Sequence, residues 1–284
     1  MKLLPLAALL LCATLAAAPA SSRRVAPPPP DRAVVYKQAA GQELKLHIFF
    51  PAGWTAADKR PLMLMYHGGG WRGGQSPDFF LQCRWYADQG FVAVSADYRL
   101  ADKQLSRESM THTLQDAFSA IRYARKHASE LGIDPAKVVA SGSSAGGHLS
   151  LAISLFNDYN DPADDTKISP VPNALVLLCP VIDCGPPPGY SAAYRWMKEY
   201  YLPFSPFQNV KTGMPPQIIV LGTLDHVTPP AHAEAYRKKV RELGNVCELK
   251  LFPDVKHGAF YRGKNWTAAQ PIITEFLKKQ GLWP

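Results

Sequence analysis

The chain has 284 residues, of which 47% are hydrophobic and 19% charged, with a formal net charge of +8. That balance excludes a disordered polypeptide, and the basic residues are spread along the chain rather than gathered into a patch for nucleic acid. The length suits one large domain with a sizeable core, and 26 prolines with 20 glycines imply many sharp turns.

The chain opens with Lys2, an apolar run over 3–15 and the small-residue end Ala18-Pro19-Ala20. A basic start, a short apolar stretch and an A-x-A end predict a secretory signal cleaved near Ala20, hence a secreted or periplasmic mature chain. The run is too short to remain in a bilayer, so no stable membrane association is expected. Residues 21–33, SSRRVAPPPPDRA, read as an extended Pro-rich leader, and 34–284 as a single domain. Four cysteines follow the signal. In an exported chain, Cys179 and Cys184 are the nearest local pair for a disulfide, with buried free thiols as the alternative.

From residue 44 onward, β-branched apolar runs alternate with amphipathic segments. Strands are predicted at 44–50, 61–66, 91–96, 137–141, 174–179, 217–221 and 247–252. Helices are predicted at 78–89, 111–131, 145–156, 231–243 and 267–279. This alternation predicts an α/β fold with a mostly parallel central sheet flanked by helices on both faces, whose chemistry gathers at the carboxyl ends of the strands.

Two of those strand ends carry unusual loops. After 61–66 comes His67-Gly68-Gly69-Gly70-Trp71, whose glycines let backbone N–H groups converge on a small ligand. After 137–141 comes Gly142-Ser143-Ser144-Ala145-Gly146, a G-x-S-x-G pattern between a strand and a helix. That setting makes Ser144 the nucleophile of a sharp strand-to-helix elbow, while Ser141 and Ser143 are ordinary turn residues.

HGGGW, DYRL at 97–100 and GSSAGG together resemble the α/β-hydrolase superfamily, specifically its HGGG-type esterases related to hormone-sensitive lipase and to bacterial acetylxylan and feruloyl carbohydrate esterases. The resemblance implies a nucleophile, acid, histidine order along the chain. It places the acid at Asp225, in Gly222-Thr223-Leu224-Asp225, and the base at His257, after the strand 247–252. Asp183 and Asp254 are the rival acids. His226 and His232 are poorly placed for the base, His148 on the elbow helix is expected to be packed, and His67 to brace the glycine loop. The N–H groups of Gly69, Gly70 and Ala145 are the expected oxyanion donors, and no metal or organic cofactor is required.

Residues 184–213 lie where this superfamily inserts cap elements. Seven aromatics among those thirty residues, about twice the chain average of 11%, either wall a substrate pocket or pack the cap onto the body. Trp71, Tyr190, Tyr194 and Trp196 are the expected substrate contacts. The expected partner is a small ester or acylated oligosaccharide, and the expected reaction removes acetyl or feruloyl groups from plant cell wall polysaccharide. A broad short-chain carboxylesterase is the alternative with the same chemistry. A non-catalytic ligand-binding member of the fold would lack part of the triad, and all three residues are present.

Overall fold

The strand Arg60–Tyr66, RPLMLMY, is buried at every position after Arg60, as a strand covered on both faces must be. In the computed structural model, which describes residues 26–101, 105–186 and 197–284, it lies inside an eight-stranded sheet. The strands are β1 (Arg32–Ala39), β2 (Gln42–Phe49), β3 (Arg60–Tyr66), β4 (Val92–Ala96), β5 (Ile133–Ser143), β6 (Ala174–Leu178), β7 (Gln217–Gly222) and β8 (Cys247–Phe252). Their order across the sheet is β1-β2-β4-β3-β5-β6-β7-β8. β2 runs antiparallel to both its neighbours, and every pairing from β4 to β8 is parallel.

Among the described residues the α-helices are α1 (Phe80–Asp88), α2 (Arg107–Lys126), α3 (Ala128–Leu131), α4 (Ala145–Leu155), α5 (Pro230–Glu242) and α6 (Gly263–Lys279). Alternation along β3 divides the core. Leu62, Leu64 and Tyr66 face one layer with Met110 and Leu114 of α2 and Leu149 of α4. Met63 and Met65 face the other, with Phe80 and Tyr86 of α1 and Ile273 and Phe276 of α6. Burying each such side chain contributes about 1.5–3 kcal/mol.

Several boundaries differ from expectation. β1 is an additional strand, and it begins inside the segment read as leader. Asp31 anchors it there, its N–H donating to Ile48 O (2.9 Å) and its carboxylate accepting from Phe50 N (2.7 Å). The helix expected over 111–131 starts earlier, where Ser106 and Ser109 cap each other's backbone reciprocally, and it breaks at His127 into α2 and α3. β5 begins earlier than expected and runs on through Ser143. The predicted signal lies outside the described residues. No described helix is long and apolar enough to cross a membrane.

Candidate active site

β5 delivers KVVASGS to the carboxyl edge of the sheet, and the chain reverses at Ser144 into α4. Ser144 adopts φ 54° and ψ −116°, a backbone state that L residues avoid. It is held there from three sides. Its N–H donates to Leu178 O (3.0 Å), and its carbonyl accepts from the N–H groups of His148 (3.0 Å) and Val181 (3.1 Å). The flanking glycines are sterically required: a Cβ on Gly142 would sit 2.4 Å from the Gly146 carbonyl, and one on Gly146 only 1.9 Å from Tyr66 O.

The acid follows β7 and the histidine follows β8, so the parallel pairing of those two strands sets their loops side by side. Thr223 N–H donates to Phe252 O (2.9 Å), Leu224 N–H to Val255 O (3.0 Å), and Asp254 N–H to Thr223 Oγ1 (2.9 Å). The result is a continuous relay. His257 Nε2 lies 3.0 Å from Ser144 Oγ, and Nδ1 lies 2.7 Å from Asp225 Oδ2.

Asp225 is 1% exposed and fully hydrogen-bonded. Oδ1 accepts from the N–H groups of Val227 (2.9 Å) and Thr228 (2.8 Å), and Oδ2 accepts from Thr228 Oγ1 (2.9 Å) as well as from the imidazole. Burial works to raise this carboxyl's pKa, yet the hydrogen bonds from His257 and Thr228 outweigh it and hold the group below its usual value. Burial pulls His257 down, but the Asp225 carboxylate at Nδ1, helped by the neighbouring Cys179, prevails and the imidazole sits above its ordinary value. Asp225 therefore fixes both the ring's orientation and its Nδ1–H tautomer.

The glycine loop lies against Ser144, because a Cβ on Gly68 would come 3.4 Å from Ser144 Cβ. Gly69 and Gly70 have φ of 118° and 62°. The Gly69 carbonyl accepts from the N–H groups of Arg72 and Gly73, while the N–H groups of Gly69 and Gly70 donate to no described protein acceptor. Ala145, the first residue of α4, follows Ser144 directly. These are the three expected oxyanion donors, set on the loop and helix that flank the serine. His67 does brace the loop: its Nδ1 bonds to Gly68 O (2.8 Å), its ring stacks on Tyr98, and Tyr98 Oη donates to His67 O (2.8 Å).

The other expected residues divide. Trp71 is corrected: it is 1% exposed, packed edge-on against His148 with ring centroids 5.0 Å apart, and so presents no face to a substrate. Its position in the loop, at φ 62°, turns the indole inward. Tyr190, Tyr194 and Trp196 lie outside the described residues. Of the remaining cap aromatics, Tyr200, Tyr201, Phe204 and Phe207 pack onto the main core. His148 is fully buried, bonded through Nε2 to Phe204 O (2.6 Å), with its pKa pushed down to about 4 by burial. Asp183 is engaged by Gly185 N–H and Gln208 Nε2, and Asp254 and His226 are exposed. The four described cysteines are free and buried, so Cys179 and Cys184 form no bridge.

A cleft of about 660 Å³ opens beside the glycine loop, lined by Gly68, Gly69, Gly74, Asp78, Gly258, Ala259, Tyr261 and Arg262. Tyr261 Oη accepts the Gly68 N–H (2.8 Å) and so joins the cleft wall to the loop over Ser144. Asp78, Tyr261 and Arg262 carried no signal in the sequence, because only the fold brings the 3-10 turn Ser76–Phe79 before α1 beside the loop after β8. Thr228 did carry one, standing within G-x-x-D-x-x-x-P as the residue that caps the acid.

Residues 63–261 match a family described as alpha/beta hydrolase fold. The chain belongs to that family. This alpha/beta hydrolase is similar to the carboxylesterase NlhH of Mycobacterium tuberculosis, 26% identical over 235 residues, 76% of this chain and 71% of that protein. It is also similar to an arylesterase of Saccharolobus solfataricus, 30% identical over 210 residues, 69% of this chain and 66% of the other. Among solved structures, a thermophilic esterase from Thermogutta terrifontis matches with a TM-score of 0.81 at 34% identity, covering 89% of this chain and 93% of that one. Another structure of that esterase holds it phosphorylated by paraoxon.

Proposed function

We propose that this chain is a serine carboxylesterase whose substrate is an acylated sugar, from which it removes acetyl or feruloyl groups. One observation carries the catalytic part: the unbroken relay from Ser144 Oγ through both ring nitrogens of His257 to Asp225, at 3.0 and 2.7 Å. As Ser144 Oγ attacks the ester carbonyl, His257 Nε2 takes its proton. The N–H groups of Gly69, Gly70 and Ala145 receive the negative charge on the former carbonyl oxygen, where each donor contributes about 3 kcal/mol. Collapse expels the alcohol, which takes the proton from His257 and leaves an acyl-serine. Water, deprotonated by the same nitrogen, then cleaves the acyl-serine and frees the acid.

The sugar part is supported by the cleft. A carboxylate, a phenol and a guanidinium are spread around a floor of glycines, a set that hydrogen-bonds hydroxyls while leaving room for a ring. Lys2, the apolar run over 3–15 and the A-x-A end support export, with cleavage near Ala20, to where such a polymer would be met. The second reading, a broad short-chain carboxylesterase, is favoured by the Thermogutta esterase structures, which carry propionate and butyrate.

The deciding experiment gives the mature chain and its Ser144→Ala variant methyl ferulate, acetylated xylan and p-nitrophenyl butyrate in parallel. Turnover of the first two, lost in the variant, is expected. Turnover of the butyrate alone would leave the short-chain reading, and an equally active variant would remove Ser144 from the chemistry.

A further inference from the structure

Behind the relay stands a thiol that the reaction does not use. Cys179 follows β6, is fully buried, and carries an unusual φ of 38°. Its Sγ, a ring nitrogen of His257 and a carboxylate oxygen of Asp225 all lie within 4.8 Å of one another. No other described thiol belongs to a cluster of three such groups. Cys83 Sγ sits 3.8 Å from the sulfur of Met65, and the Sγ atoms of Cys184 and Cys247 each lie 3.9 Å from a backbone carbonyl.

Thiolate, imidazole and carboxylate are the donor set that zinc takes in protein sites, and they suit cadmium and cobalt as well. Bonds of about 2.0–2.3 Å in a tetrahedron set such donors about 3.5 Å apart, so small side-chain movements close this triangle around an ion. The Asp225 side chain is sealed off, but that of His257 is 21% exposed, and Gly258 beside it lines the cleft, which gives an ion a way in and a solvent molecule the fourth position.

We propose that Cys179, Asp225 and His257 form a binding site for a thiophilic divalent cation, which switches the hydrolase off. The switch-off rests on the triad reading above, whereas binding does not. A neutral imidazole has one lone pair. Once that pair is given to the metal, whichever nitrogen supplies it, the other nitrogen holds the proton and Ser144 has no base. The ion takes Cys179 as its thiolate, and a chelator that removes the ion restores the free site. Magnesium, which asks for an octahedron of oxygens, does not suit the site.

The test has two arms. Zinc is titrated into the mature chain during hydrolysis of p-nitrophenyl butyrate, and Cys179→Ala and Cys179→Ser are each scored against their own metal-free rate. Half-inhibition should require at least tenfold more zinc in both variants, EDTA should restore the parent, and magnesium should do nothing. In the second arm, cobalt is added to Ser144→Ala, which has no turnover to lose. A thiolate-to-cobalt charge-transfer band in the near ultraviolet is expected, and it should vanish when Cys179→Ala is added. Equal zinc sensitivity in a folded Cys179 variant, or the absence of the band, overturns the site. The band stands or falls on its own even if no ester is hydrolysed.

Discussion

Ser144 is held at φ 54° and ψ −116°, where its Cβ crowds the backbone. A non-glycine residue in such a state costs about 1–3 kcal/mol, tolerated because three hydrogen bonds and two glycines define the elbow around it. Ser144→Gly should therefore raise Tm by a few degrees while abolishing turnover, a direct exchange of stability for function. Calorimetry decides: an unchanged or lowered Tm would mean that no strain is stored there. The partner residues make a second prediction. His257 works as a base only when neutral, and its pKa lies above the ordinary imidazole value, so kcat/KM should climb with pH into the alkaline side. Asp225→Asn removes the charge that raises it. With that contribution gone, the midpoint of the pH profile should fall, and kcat should drop about ten-thousandfold as the tautomer is lost.

The hairpin between β1 and β2 turns through Ala40 and Gly41, at φ 50° and 73°, with Ala39 paired to Gln42. Two positive φ values make a type I′ turn, which asparagine-glycine fits and alanine does not. Ala40 is exposed. Ala40→Asn should stabilise the chain by about 0.5–1 kcal/mol, part of the roughly 1–2 kcal/mol a left-handed non-glycine residue costs. Denaturant midpoints at constant m-value check it. The same hairpin shows why β1 was illegible in the sequence: Ala-Gly is a weak turn signal, and a half-exposed edge strand lacks a continuous apolar run. β3, β4, β6 and β7 were legible because every one is buried nearly throughout. The break at His127 had no proline or glycine to announce it, and the Ser106 cap uses a serine where a glutamate would have been the clearer sign.

Ser144 and His257 are 113 positions apart, yet one hydrogen bond joins them because parallel strands bring successive loops to one edge of the sheet. That regularity made the triad readable from two motifs and a chain order. The cleft residues were not readable, since loop curvature rather than periodicity sets where Asp78, Tyr261 and Arg262 end up, and the inward turn of Trp71 depends on backbone that no composition reveals. The cysteines test the packing of the whole molecule. All four described thiols are buried, and burial pushes those of Cys83 and Cys184 well up and that of Cys247 up to about 12. Reaction with a bulky disulfide reagent needs an exposed thiolate, so it must wait for the core to open. The folded mature chain should thus release almost no chromophore, and the denatured chain should release four equivalents without prior reduction. Two equivalents on denaturation would mean that a bridge such as Cys179 to Cys184 had formed on export. Rapid reaction in the folded state would mean that a layer of the core is open to solvent, contrary to the close packing on both faces of the sheet.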